Sequence, residues 1–381
     1  MIATENANGE AVKLAPDPGG VGTSDVFRVL RSDGSADPAR DPRVDPKDLR
    51  SLFRLMLLNR ALDERMITLQ RQGRIGFYIG SIGEEASILG SAFVMRPNDW
   101  VFTAYREHGA SLLRGLPLAR FLANLFGNAE DPAKGRQMPC HEVWASGNLG
   151  SVSSPLATQI PHAVGVGWGA RLKGRPDVAL VYFGDGATSA NDFHSGLNFA
   201  GVFKAQTILF CRNNQWAISV PLSRQTASES LAEKAKAYGL PAIRVDGNDL
   251  LAVVAVTRQA HERARSGQGA TLIEAVTYRL RGHSTSDDPR AYRTDEQVEP
   301  WLKLDPLPRL RSHLLRIGAL SEQESESWPK EVEEELREAV EKVEKVGPPA
   351  LETLFEEVYE KVPWHLAEQR GEARRAREEG E

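Results

Sequence analysis

The chain is predicted to be an α/β protein on a doubly wound parallel sheet, with extra helices at both ends. Three observations predict this. Residues 178–183 are an apolar run rich in Val and aromatic side chains, which reads as a buried strand. A Gly184-Asp185-Gly186 turn follows, then a helical segment over 191–202 with apolar Phe193, Leu197 and Ala200 on one face, then a second buried strand at 207–211. The alternation recurs as a strand at 242–245, a helix at 249–265 and a strand at 271–278. Strands that alternate with helices pair in parallel through crossovers.

The remaining elements follow in order. Residues 1–25 are rich in Gly, Ala, Pro and Asp and read as a mobile tail. One domain with helical extensions is expected over 26–365, and a charged, solvated C-terminal tail over 366–381. Ser32-Asp33-Gly34 suits a short strand or hairpin. Asp45 followed by Pro46 predicts the start of a long helix, an N-cap and then proline at the first helical position. Leu49, Leu52, Phe53 and Met56 give it a buried face, and Gly73 ends it. Helices are predicted at 84–94, 116–125 and 161–173, and a strand at 99–102. Gly165, Gly167 and Gly169 do not make a GxGxxG and do not follow a strand, so a nicotinamide site is rejected. Close packing of that helix explains them, against either a neighbour in the subunit or a partner. Beyond Asp295 the chain is mostly helical, with a charged amphipathic segment at 331–345. There is no internal repeat.

Composition excludes several function classes. The net charge is −5 with no basic block in the folded part, which disfavours nucleic-acid binding. No apolar run approaches the length of a membrane span. Two cysteines, Cys140 and Cys211, suit a reducing compartment rather than a disulfide scaffold. Residues 1–25 have no hydrophobic signal core and carry Glu5, Glu10 and Asp17, unlike an acid-poor transit peptide, so a cytoplasmic location is expected.

The chemistry concentrates after the strand at 178–183. Asp185 and Asn214 lie 29 positions apart, each just past the end of a predicted strand. Parallel strands joined by a crossover end on the same sheet edge, where α/β proteins bind ligands. A carboxylate and an amide oxygen there are hard ligands, suited to a small cation that also holds phosphates. Tyr105-Arg106-Glu107-His108, Arg212, Arg279 and His283 also fall at predicted strand ends. Arginines supply fixed, charge-assisted donors for a diphosphate. Backbone amides after Gly186, at the start of the next helix, would add to that cradle. His283 lies in a polar loop, where function concentrates, though a structural histidine fits there too.

The Gly-Asp-Gly and the later Asn213-Asn214 are similar to the metal motif of the thiamine diphosphate-binding fold, in its diphosphate domain. More widely, the chain resembles the alpha subunits of branched-chain 2-oxoacid dehydrogenases. The matching segments include Gly73-Arg-Ile-Gly-Phe-Tyr78, Gly83-Glu-Glu-Ala86, Tyr105-Arg-Glu107, Lys134-Gly-Arg-Gln-Met-Pro139, Ser153-Ser-Pro-Leu-Ala-Thr-Gln-Ile-Pro161, Arg244-Val-Asp-Gly-Asn-Asp249 and His283-Ser-Thr-Ser-Asp-Asp288. The Gly135-to-Pro139 and His283-to-Asp288 stretches differ from those of pyruvate-specific relatives.

The resemblance implies that Asp185, the Asn214 side chain and the Trp216 carbonyl bind Mg²⁺. Many members have Glu at the Asp185 position and Gly-Tyr in place of Gln215-Trp216; neither change removes the site. It implies that Tyr105, Arg106, Gly184, Gly186, Ala187, Arg212, Arg279 and His283 meet the cofactor, mainly its diphosphate, and that Ser154 and Leu156 hold its pyrimidine ring and bent form. Ser153, Pro155, Thr158 and Gln159 match a K⁺ site of some members; a tight turn leading into a helix explains them equally. Ser284 corresponds to a kinase-regulated serine of mitochondrial relatives.

The implied activity is oxidative decarboxylation of branched-chain 2-oxoacids, with the acyl group passed to a lipoyl group on the dihydrolipoyl acyltransferase core. His283 is the candidate for proton transfer in that step, although phosphate contact could be its whole role. Only one sheet's worth of elements is present, so the site is expected to be completed by a beta subunit, in a two-plus-two heterotetramer. A pyruvate or acetoin enzyme is the alternative, and a non-catalytic cofactor-binding homologue is more remote.

Overall fold

The computed structural model describes residues 26–31 and 33–380. The expected mobile tail at 1–25 lies outside the described residues. In chain order the strands are β1 (Val26–Phe27), β2 (Trp100–Phe102), β3 (Ala179–Gly184), β4 (Thr207–Asn213), β5 (Trp216–Ala217), β6 (Val220–Pro221), β7 (Ala242–Asp246) and β8 (Thr271–Val276). The α-helices are α1 (Pro46–Arg71), α2 (Glu85–Val94), α3 (His108–Leu113), α4 (Leu118–Phe126), α5 (Gln159–Leu172), α6 (Asn191–Phe203), α7 (Leu250–Arg265), α8 (Asp295–Leu302), α9 (Pro306–Arg316), α10 (Glu322–Val343), α11 (Thr353–Glu356) and α12 (Trp364–Gly380).

Six strands form one parallel sheet in the order β1-β7-β8-β4-β3-β2, and β5 with β6 makes a separate antiparallel hairpin. The central strands alternate between two cores. Leu180 and Tyr182 of β3, with Ile208 and Phe210 of β4, face a core shared with α1, α2, α7 and α9. Val181, Phe183, Leu209 and Cys211 face the opposite core, shared with α5 and α6. Burial on both faces is why these strands read as unbroken apolar runs. A third core joins α1, α4 and α10.

The helix signals hold at residue level. The Asp45 carboxylate accepts from the Lys47 amide at 2.8 Å, and Gly73 adopts φ +72° two residues past α1. Asp249 caps α7, and its other oxygen accepts from the amides of Val29 and Leu30 at 2.7 and 2.6 Å, tying the first strand to the sheet. Around the expected hairpin the structure shows a single bridge from Leu30 to Ala36, with Gly34 at φ +79°. The stretch expected as a charged tail is helical through Gly380; Arg370 and Arg374 pair with Glu356 and Glu352, and no α12 residue is buried.

The glycines of α5 divide. A Cβ on Gly167 would meet Gln206 and Thr207 at the start of β4 within 2.9 Å, so this glycine serves internal packing. Gly165 and Gly169 have no neighbour within 4 Å and look outward.

Candidate functional site

β3 and β4 pair in parallel with Gly184 opposite Arg212. Beyond that register Asp185 and Asn214 leave the sheet on the same edge. They enter a cleft of ≈ 510 Å³ that also takes Tyr105, Arg106, Ser153, Ser154, Leu156, Gln159, Gly184, Gly186, Ala187, Arg212, Trp216 and His283. Most sequence-predicted site residues therefore converge. Three do not line the cleft: Pro155, Thr158 and Arg279.

The deep end is built from buried charge. Arg212 places one terminal nitrogen on the Glu84 carboxylate and the other on Glu107. Its Nε is buried and has no hydrogen-bond partner among the described residues. The other Glu84 oxygen accepts from the Asn214 amide at 3.0 Å. That contact commits the amide NH₂ to Glu84 and leaves Oδ1 as the acceptor; the Trp216 amide lies 3.3 Å from it. Asn213 turns the other way and donates to Glu274 at 2.7 Å. Of the asparagine pair, only Asn214 reaches the cleft.

Arg106 donates to the Gly80 carbonyl at 2.6 Å, and to His283 at both Nδ1 and the carbonyl at 2.8 Å. A guanidinium only donates, so Nδ1 is the acceptor and the ring proton is assigned to Nε2. Burial, with Arg106 and Arg279 nearby, pushes the His283 pKa down to about 3. The ring is neutral at physiological pH and has an Nε2–H left to donate.

Asp185 is buried, and its Oδ2 accepts from the Gln225 side chain at 2.6 Å. Burial pushes its carboxyl up to about 6, against the opposing pull of the Gln225 hydrogen bond and of Arg279. The two glycines beside it differ in purpose. A Cβ on Gly186 would come 2.7 Å from Ala217 Cβ, so the β5–β6 hairpin needs that glycine. A Cβ on Gly184 would meet nothing, and its bare face opens on the cleft.

Arg279 sits under the hairpin, since the chain turns beneath it just after β8. Its guanidinium donates to the carbonyls of Trp216 and Ile218 at 3.2 and 2.7 Å and to the Tyr292 hydroxyl at 2.7 Å. It fixes the loop that carries Trp216 rather than facing the cleft. At the expected K⁺ site, Gln159 donates to the Tyr182 carbonyl at 2.9 Å and keeps a buried Oε1 with no partner. Ala157, at φ +71°, turns the chain into α5 there.

The mouth is different. Phe77, Ile79, Met138, His141 and Leu156 line it, and His141 Nε2 lies 2.6 Å from Ser154 Oγ. Sequence reasoning placed Glu84 and Glu107 in motifs but gave them no role, and it did not single out Gln225 behind Asp185 or His141 at the mouth. The usable signal for Glu84 was a pair of adjacent glutamates opening a helix with no charged partner nearby in sequence.

A parallel sheet whose edge offers a carboxylate, an amide oxygen and enclosed arginines defines a phosphate-binding α/β enzyme of the cofactor-dependent kind. Residues 53–352 match the dehydrogenase E1 component family, and the chain belongs to that family. It is 40% identical over 346 residues to the mouse mitochondrial 2-oxoisovalerate dehydrogenase subunit alpha, spanning 90% of this chain and 78% of the mouse protein. The human protein of the same name is 41% identical with the same spans. The Caenorhabditis elegans one is 41% identical over 350 residues, 91% of this chain and 81% of its own.

Proposed function

We propose that this chain is the alpha subunit of a thiamine diphosphate-dependent dehydrogenase that decarboxylates branched-chain 2-oxoacids and passes the acyl group to a lipoyl group. One observation carries the reading: a single cleft joins a buried carboxylate–amide pair and an unpartnered guanidinium N–H to an apolar mouth. The residues present fit the cofactor. Among the described residues Arg212 Nε is an enclosed donor without an acceptor, Asp185 is a buried carboxyl with Oδ2 held by Gln225, and Gly184 leaves space where a side chain would intrude.

Bound thiamine diphosphate supplies the electron sink for loss of carbon dioxide. The protein's work is to hold, bend and enclose it. Asp185, Asn214 Oδ1 and the Trp216 carbonyl are the proposed Mg²⁺ ligands; that carbonyl has a second lone pair beside the one Arg279 uses. Arg212 Nε–H, His283 Nε2–H, Tyr105 and the amides after Gly186 are the proposed diphosphate donors. Arg106 acts through His283, holding its ring and tautomer. With Nδ1 engaged, His283 offers a proton from Nε2 and does not take one at Nδ1. Leu156 and Ser154 are proposed to support the pyrimidine end. K⁺ at Ser153, Pro155, Thr158 and Gln159 is a further proposal, supported by the orphaned Gln159 Oε1.

Phe77, Ile79, Met138 and Leu156 suit a branched alkyl chain, since each buried methylene contributes about 0.8 kcal/mol. The beta subunit is proposed to complete the site in a two-plus-two heterotetramer. An exposed apolar face supports it: Leu172 of α5 and Phe199 and Val202 of α6 lie open beside Gly165 and Gly169. Contiguous apolar surface of this kind marks interaction sites. A cytoplasmic location is also proposed; fractionation of the source cells tests it.

The chain assembled with its candidate beta subunit should decarboxylate 3-methyl-2-oxobutanoate better than pyruvate, and the isolated chain should not turn over. Equal or better use of pyruvate would move the assignment to a pyruvate or acetoin enzyme. Turnover by the chain alone would remove the partnership.

A further inference from the structure

We propose that Gln225 is a positioning residue for the divalent cation, setting its affinity by holding the Asp185 carboxylate from behind. The inference rests on the cation reading above. Gln225 does not line the cleft, whereas Asp185 does. The chain reaches it by crossing over Gly186 in the β5–β6 hairpin and then turning through residues 222–224. There the Gln225 Nε2 donates to Asp185 Oδ2 at 2.6 Å and to the Val220 carbonyl at 3.0 Å.

Both of those partners are acceptors, so the amide can sit only one way round. With one oxygen engaged, the carboxylate is restrained from rotating and Oδ1 remains for the cation. Asn214 has a matching restraint, because Glu84 takes its NH₂ group and leaves its oxygen. The two side-chain ligands are thus aimed from opposite sides by an amide and a carboxylate that do not themselves serve as ligands. Such outer partners orient metal ligands and typically change affinity by about 10- to 100-fold.

Gln225 also has an open valence. Its Oε1 is buried and no group among the described residues donates to it. A buried acceptor without a donor calls for a reason. A purely structural tether between Gln225 and Val220 would not need the second bond to Asp185.

Mn²⁺ is the probe, titrated by electron paramagnetic resonance into the enzyme assembled with its beta subunit and saturated with thiamine diphosphate. Gln225→Met keeps the length of the side chain and removes the donor. It should raise the Mn²⁺ dissociation constant by about 10- to 100-fold, while the KM for the 2-oxoacid at saturating Mg²⁺ stays at the wild-type value. Gln225→Asn keeps the amide but falls a methylene short, and should weaken Mn²⁺ in the same direction; it serves equally if the methionine variant fails to assemble. Wild-type Mn²⁺ affinity in either folded variant overturns the inference. A wild-type enzyme that takes up no Mn²⁺ with its cofactor overturns the cation reading itself, a separate failure.

Discussion

The two ends of the cleft are made by opposite means. At the deep end Asp185, Arg212, Asn214 and Arg106 are buried, and each holds at least one polar partner inside the chain. At the mouth, Leu156 and Met138 are 52% and 50% exposed. Charge that must be ready for a diphosphate cannot wait for a partner to order it, because an unpaired buried ion is costly. Apolar surface can wait, since a second subunit can cover it later. The single chain therefore sets its charged groups in place and leaves its hydrophobic enclosure open.

The strongest way to break this contrast is at the deep end. Asp185→Ala removes the only acidic ligand proposed for the cation, so cation-dependent thiamine diphosphate binding should weaken by at least about 100-fold, beyond the range typical of outer partners. Calorimetric titration of the assembled enzyme measures it; unchanged affinity would remove Asp185 from the site. The fold should survive, because burial already disfavours the charged carboxylate.

Arg106→Met comes next. It deletes a charge-assisted contact to His283 Nδ1 and another to the Gly80 carbonyl. Hydrogen bonds to charged groups contribute about 1.5–3 kcal/mol each, so a loss of roughly 10- to 100-fold in cofactor affinity is expected. The pH behaviour should change too. His283 titrates near 3 in the native chain, below the ordinary imidazole value of 6.5. Between those values the unfolded chain binds the proton and the native one does not. His283 therefore contributes stability above pH 6.5 that is lost as pH falls toward 3. In wild type its ring resonance should stay flat from pH 5 to 8. In Arg106→Met, with one of the depressing charges gone, its midpoint should move up toward the ordinary value. A wild-type ring that titrates near 6.5 would contradict the neutral assignment.

Which parts were legible follows from how far each role reaches along the chain. Asp185 and Asn214 were readable because strand, glycine turn, helix and strand are local signals, and parallel pairing fixes where both strand ends open. Glu84 was not, since it acts on Arg212, 128 residues away, and on Asn214, 130 away. Gln225 depended on a hairpin fold-back that no periodicity announces. Arg279 was placed at the correct edge, yet its side chain turned under the hairpin; strand ends locate a backbone, not the direction of a long guanidinium arm. The outward-facing pair among the α5 glycines could not be told from the packed one by spacing alone, because Gly167 lies between them in sequence and beneath them in space.

At the mouth the expected effects are smaller, and they separate two neighbours at the end of one matching segment, Gly73 to Tyr78. Phe77 faces the cleft, but Tyr78 is fully enclosed, with its hydroxyl donating to Asp63 at 2.7 Å. Adjacent residues of an extended segment point to opposite sides, so only one of the pair can touch substrate. Met138→Ala shortens the apolar wall; at about 0.8 kcal/mol per methylene it should lower the branched-over-pyruvate ratio of kcat/KM by roughly 3- to 30-fold. Tyr78→Phe should leave that ratio alone. It strips the donor from Asp63 Oδ1 inside the core, which costs about 1–3 kcal/mol and should appear as a lower thermal midpoint. A ratio that moves with Tyr78→Phe while stability holds would show that the segment from Phe77 to Tyr78 shapes specificity as a unit, and would erase the line between the rigid interior and the open mouth.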